Sequence, residues 1–179
     1  MVDIQVPPSP NIPDLETAVI YNGLCLLEGT NLSEGRGTET PFKIFGAPWL
    51  NSSDVIDRIT SGGVRGVDIS EITFTPESIP GKAAYPKYKG EQCKGIKIEV
   101  TDFNQFYPLR LGVLILKSIY DSDPQNFQIL ENNFMDKLYG SDELRKNIIN
   151  GLSINELVLT WKDESNKFRA VSMPYKIYK

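Results

Sequence analysis

Between Glu28 and Thr38 the chain reads "EGTNLSEGRGT". Glu28, Asn31 and Arg36 supply one carboxylate, one carboxamide and one guanidinium, and Ser33 and Thr38 add hydroxyls. Planar groups of this kind bind the vicinal hydroxyls of a sugar, and a guanidinium can also fork onto a carboxylate, which an acidic sugar carries and a neutral one lacks. Gly29, Gly35 and Gly37 let backbone come close to a ligand. A second reading stays open on the same residues: the glycines only shape a turn, and Glu28 and Arg36 pair with each other. A phosphate cradle does not fit. A P-loop has four residues between its glycines and then Lys-Ser/Thr, whereas Gly29 and Gly35 are separated by five and followed by Arg36-Gly37. Glu34 would also set a negative charge beside a phosphate, and the G-x-G-x-x-G fingerprint requires a glycine where Thr40 stands.

The chain has no histidine, so acid or base work falls to Glu, Asp, Tyr or Lys. Glycoside hydrolysis pairs two carboxyls, about 5 Å apart for retention and about 6.5–9.5 Å for inversion. Nothing marks a second carboxyl as the partner of Glu28, and Glu34 reads as a solvated surface acid. Glu28 is therefore at most an assisting carboxylate, and no residue is assigned as catalytic. Two cysteines, Cys25 and Cys93, without histidine do not make a zinc site, and they read as free thiols with one disulfide as the alternative. Neither a metal nor a cofactor is expected.

The 179 residues fit one domain, large enough to bury roughly 70% of the extended-chain surface. A net charge of -4 and a pI near 5.0 argue against nucleic acid, whose binders carry a clustered basic face. The apolar run from Leu111 meets Lys117 after about six residues, far short of the roughly 20 of a membrane span. The start "MVDIQVPPSPNIPDL" lacks the basic and apolar regions of a signal peptide. Pro7, Pro8, Pro10 and Pro13 instead read as an extended connector, and residues 1–13 are expected to be the remnant of a link to another domain.

The loop has to be positioned by what flanks it. "DLETAVIYNG" reads as a helix capped by Asp14 and stopped by Gly23, with Leu15, Ala18 and Val19 on its inner face. "LCLLEG" reads as a buried strand and "PFKIFGAPW" as a second, so the loop is expected between two strands. "NSSDVIDRITSGG" follows as a helix, and "GVDISEITFTP" and "KGIKIEVTD" alternate as strands. The long segment between these strands contains Tyr85, Lys87, Tyr88 and Lys89, which line a cleft or simply face solvent. Trp49 and Trp161 read as core or groove-wall aromatics. "PLRLGVLILKSIYDSDP" predicts a helix with Leu111, Leu114, Ile115 and Ile119 inward. Two short helices follow, and Ser153 with Glu156 opens a longer one through a capping box. Strands come early and helices late, which predicts an α+β fold with a small mixed or antiparallel sheet and helices concentrated in the C-terminal half.

The stretch "PPSPNIPDLETAVIYNGLCLLEGTNLSEGRGTETPFKIFGAPWL" resembles the central signature of the exo-β-N-acetylmuramidase family known as NamZ. The resemblance continues through "FTPESIPGKAAYPKYKGEQCKGIKIEVTD" and "LRLGVLILKSIY" to "FRAVSMPYKIYK". It implies a two-domain bacterial enzyme that releases N-acetylmuramic acid from the non-reducing ends of peptidoglycan fragments. Its N-terminal half would be Rossmann-like and carry the catalytic glutamate, and its cleft would lie between the halves. This chain resembles the C-terminal half, so residues 14–179 are expected to be an auxiliary, substrate-cleft domain, inactive without its partner domain. Met1 stands where the connector would be, as in a trimmed gene or a natural remnant. By carry-over, Glu28, Asn31, Ser33, Arg36 and Thr38 stand on the cleft wall, and Ser9 and Asn11 match the motif that leads into it. Arg36 would take the lactyl carboxylate of the sugar, and Glu28 and Asn31 its hydroxyl or acetamido groups. The implied partners are a muropeptide or disaccharide and the N-terminal domain, with a face for that domain left as an exposed apolar patch. The resemblance further implies a parent that is periplasmic, lipid-anchored or secreted. An independent, non-catalytic carbohydrate-binding domain is the alternative.

Overall fold

The computed structural model describes residues 6–151 and 153–177. Among them, six α-helices surround a three-stranded antiparallel sheet, which is the expected α+β class. The strands are β1 (Ile44–Ala47), β2 (Val67–Phe74) and β3 (Cys93–Val100), in the order β1-β3-β2. β3 is the central strand and it alternates: Ile96 and Ile98 are fully buried, while Lys97 and Glu99, on the other face, are half-buried and exposed. Its register sets Phe45 opposite Ile96 and Ile69 opposite Ile98.

Helix α1 (Leu15–Leu24) starts as expected, with the Asp14 carboxylate accepting from the Thr17 amide at 2.7 Å. Its inward residues are Thr17, Ile20, Gly23 and Leu24, not the expected Leu15, Ala18 and Val19, which are half-buried. Gly23 is not a helix stop. It is the point where α1 crosses α3 (Pro108–Ser122): a Cβ there would lie 1.9 Å from the Pro108 carbonyl oxygen, and one at Gly112 would lie 2.3 Å from the Gly23 carbonyl oxygen. Two glycines let these helices touch through their backbones, and the chain stays helical beyond them. "LCLLEG" therefore continues as a 3₁₀ turn over Cys25–Gly29 and not as a strand. A short apolar run has no period of its own, and the packed crossing decides its conformation.

The α1 start is fastened to the sheet by charge. Lys43 Nζ lies 3.0 Å from Asp14 and 2.6 Å from Glu16, whose other oxygen accepts from the Val100 amide at 2.8 Å. α2 (Ser52–Ser61), capped by Asn51, buries Val55 and Ile59 against the sheet and α3. α3 buries Leu111, Leu114, Ile115 and Ile119, as its spacing predicts. α4 (Phe134–Tyr139) and α5 (Glu143–Asn150) each end on a left-handed glycine, Gly140 and Gly151. α6 (Ile154–Ser172) opens with the expected capping box of Ser153 and Glu156. Near its middle the Trp161 indole N–H donates to the Tyr139 hydroxyl at 2.6 Å. Beyond that point Phe168, Val171, Met173 and Tyr175 are exposed. Among the described residues no helix is long and apolar enough to cross a membrane.

Candidate functional site

The loop after the 3₁₀ turn leaves the core under several constraints. Thr30 closes the turn, its amide and hydroxyl both donating to the Leu27 carbonyl. Asn31 is then stitched to the segment before α4: its side chain donates to the Asn126 carbonyl at 2.8 Å and accepts from the Gln128 amide at 2.9 Å. Ser33 exchanges backbone hydrogen bonds with Gly46 of β1, and its hydroxyl accepts from the Gly35 amide at 3.3 Å. The Thr38 hydroxyl donates to the Gly35 carbonyl at 2.7 Å, closing the glycine-rich bend. Phe42 brings the chain back into the core with φ 64°, a left-handed conformation costly for a bulky residue. Burial of its ring and the bond from its amide to the Glu34 carbonyl, 2.7 Å, hold it there.

Within this frame four charged side chains gather. Arg36 Nη2 donates to Glu28 at 2.8 Å, Arg36 Nε lies 3.3 Å from Glu34, and the guanidinium carbon sits 5.1 Å above the Phe42 ring centroid. The second Glu28 oxygen accepts from the Tyr21 hydroxyl at 3.3 Å. Lys87, 53 residues from Glu34 in the chain, reaches its carboxylate at 3.0 Å and also donates to the carbonyls of Leu27, Glu28 and Leu32. Burial, followed by the nearby Glu28 charge, pushes the Cys25 thiol up to about 11, and burial also raises the Tyr21 phenol.

The Glu28–Arg36 pair of the second reading is present. The two residues are not sealed, however: their side chains are 15% and 30% exposed, and a hollow of about 400 Å³ opens beside them. Its far wall is the segment from Lys82 to Lys87, and Phe134 at the start of α4 closes one side. Tyr85, 94% exposed, stands at its rim. A larger hollow, about 630 Å³, lies between the start of α2 and the sheet, beside Trp49 and Lys94, and no residue of the polar loop lines it. The smaller hollow is the candidate site because the charged cluster opens into it.

Of the residues singled out from the sequence, Glu28 and Arg36 line this hollow, whereas Asn31, Ser33, Thr38, Ser9 and Asn11 do not. The last two support its far wall: the Asn11 amide donates to the Ser9 hydroxyl at 3.4 Å, and its side-chain amide donates to the Lys82 carbonyl at 2.9 Å. Glu34 is not the solvated acid expected. Its side chain is 6% exposed, because Arg36 and Lys87 neutralise it from two sides. Lys87 lines the hollow as part of the second loop, while Tyr88 supports that loop by accepting from the Trp49 indole N–H at 3.2 Å. Tyr21 and Phe134 gave no sequence signal, since an aromatic residue beside a helix end reads as core. Among the described residues no group of three or more His, Cys, Asp or Glu could hold a metal, and both cysteines are free thiols.

Residues 19–178 match the family described as Exo-beta-N-acetylmuramidase NamZ, C-terminal. Peptidoglycan beta-N-acetylmuramidase NamZ of Bacillus subtilis (strain 168) is 34% identical over 171 residues, covering 96% of this chain and 40% of that protein. Two DUF1343 family proteins of Bacteroides fragilis NCTC 9343 share the fold. One superposes with a TM-score of 0.80 at 22% identity over 97% of this chain, the other with 0.74 at 29% identity over all of it. This chain covers 45% of each. It thus spans less than half the length of the relatives it matches.

Proposed function

Because the chain belongs to the family defined by the C-terminal part of the NamZ exo-β-N-acetylmuramidases, we propose that it forms one wall of a cleft receiving the N-acetylmuramic acid end of a peptidoglycan fragment. The observation that carries this reading is the Glu28 carboxylate, partly exposed and held by Arg36 and Tyr21 beside a polar hollow bordered by Tyr85 and Phe134. A fixed carboxylate accepts sugar hydroxyl or acetamido N–H groups, and aromatic rings cover the apolar face of a pyranose. Arg36 sets the carboxylate in place. Asn31, Ser33 and Thr38 fix the loop that carries both, and Ser9 and Asn11 fix the opposite wall.

In this reading the carboxylate that attacks the glycosidic bond belongs to an N-terminal, Rossmann-like partner domain, reached through the connector at residues 1–13, and the chain alone does not turn over substrate. The setting is cell-wall turnover, in an exported parent. The test is a chromogenic N-acetylmuramic acid glycoside, assayed with the chain alone and with an added N-terminal domain from a family member. Turnover only in the mixture is expected, and turnover by the lone chain overturns the division of roles. A second reading is an independent carbohydrate-binding domain, supported by the Glu28 carboxylate, the Arg36 guanidinium and the exposed Tyr85 ring that line one hollow. Saturable muropeptide binding by the chain, with no gain in hydrolysis on adding the N-terminal domain, would decide for it.

A further inference from the structure

The hollow is lined by two acids and three bases, and the three bases are not equivalent. Arg36 has Nη2 on Glu28 and Nε within reach of Glu34. Turning it toward a ligand would leave Glu28, 15% exposed, without its counter-charge and Glu34, 6% exposed, with Lys87 alone. Lys87 has three protons and four oxygens around it, at 2.9 to 3.4 Å. It is committed as well. Lys82 differs, since among the described residues its ammonium group has no ion pair and no hydrogen bond, although the residue lines the same hollow.

The backbone under Lys82 is nevertheless fixed. The Lys82 and Ala83 amides both donate to the Ile79 carbonyl, at 3.1 and 2.9 Å, and the Ile79 amide donates back to the Ala83 carbonyl at 2.9 Å. Asn11 holds the Lys82 carbonyl from outside the turn, and Ala83 is buried beneath it. The result is an unpaired positive charge on a rigid turn at the wall of the hollow. Two of the bases balance the two acids, so the third gives the hollow a preference for a ligand carrying one negative charge.

We propose that Lys82, and not Arg36, is the residue that recognises the carboxylate of the bound sugar, making the hollow selective for a monocarboxylated amino sugar over its neutral counterpart. This assignment rests on the reading of the hollow as a saccharide site. It gives a purpose to Asn11, which does not itself line the hollow: Asn11 holds the turn that presents the ammonium.

The experiment compares N-acetylmuramic acid with N-acetylglucosamine, which differ by the carboxylate-bearing lactyl ether, in calorimetric titrations of the folded chain at low and high salt. The acidic sugar is expected to bind on the order of 3- to 10-fold more tightly, the range of an exposed to partly desolvated charge contact, and salt should erode the difference. Lys82→Met, which keeps the aliphatic stem, should remove the preference and leave N-acetylglucosamine affinity unchanged. Lys82→Arg should retain it. A preference that survives Lys82→Met overturns the assignment. Equal binding of the two sugars by the unaltered chain also overturns it while sparing the saccharide site, and binding of neither sugar removes the site itself and the assignment with it.

Discussion

The Arg36 guanidinium and the Glu28 carboxylate meet at 2.8 Å at the edge of a hollow, each only partly screened from water. Replacing Arg36 with alanine would strip the counter-charge from Glu28 and, in part, from Glu34. Breaking a largely buried pair by removing one partner costs several kcal/mol, and partial exposure lowers that, so Arg36→Ala is expected to lose about 2–3 kcal/mol. Urea unfolding measures it. Adding Glu28→Gln should recover part of the loss, because it removes the orphaned charge. A single variant as stable as the original chain would show the pair to be ornamental.

At the α1–α3 crossing, an added methyl on Gly23 would meet the Pro108 carbonyl at 1.9 Å, and backbone cannot move aside as a side chain can. Gly23→Ala should cost about 3 kcal/mol or more, the upper range of overpacking. Gly63→Ala makes the contrast. Its φ is +72°, but open space surrounds it, so only the left-handed conformation is penalised, at about 1–2 kcal/mol. Denaturant midpoints in the reverse order would contradict the crossing.

The tie between α1 and the sheet sets a pH window. Burial draws the Asp14 carboxyl upward, but the Thr17 amide and Lys43 outweigh it and hold it below its ordinary value. A depressed carboxyl stabilises the fold above its unfolded pKa, about 3.9, and that contribution is lost as pH falls through the folded value. Burial lowers the Lys43 ammonium, but Glu16 and Asp14 win and raise it. Its contribution is complete below about 10.4 and lost as pH rises beyond. The part of the stability that this tie supplies should therefore hold level between these limits and fall outside them, and Lys43→Met should blunt both falls. Unfolding midpoints followed across pH check this, and identical profiles for the two chains would refute it.

Burial pushes the Cys25 and Cys93 thiols up to about 11, with Glu28 and Glu91 respectively adding to it. At pH 8 each is then thiolate only about one part in a thousand, and the thiolate is the reacting form. Labelling with a disulfide reagent should be slow for both in the folded chain and rapid in denaturant. Prompt stoichiometric labelling of the folded chain would count against this burial.

Local signals were readable where neighbours in sequence decide the outcome. The spacing of Leu111, Leu114, Ile115 and Ile119, the alternation through Ile96 and Ile98, and the Ser153–Glu156 box each specify an element without help from afar. The misreadings share one cause. "LCLLEG" is a 3₁₀ turn, and Gly23 is a contact point, because of α3, about ninety residues away. Glu34 is buried because Lys87 comes from another loop. At the candidate site, residue types gave the groups able to meet a sugar, and of the seven residues expected there only Glu28 and Arg36 line the hollow. The division into residues that face the hollow, such as Glu28, and residues that hold its walls, such as Asn31 and Asn11, arises only from contacts across the chain.

The hydrogen bond from the Trp49 indole to Tyr88, one residue after Lys87, has a practical consequence. Only two tryptophans are present, and Trp161 sits apart on α6. With Trp161→Phe, tryptophan fluorescence would come from a single indole anchored to the far wall of the hollow. Its emission colour would then report optically how that wall responds to an arriving sugar, with no label attached.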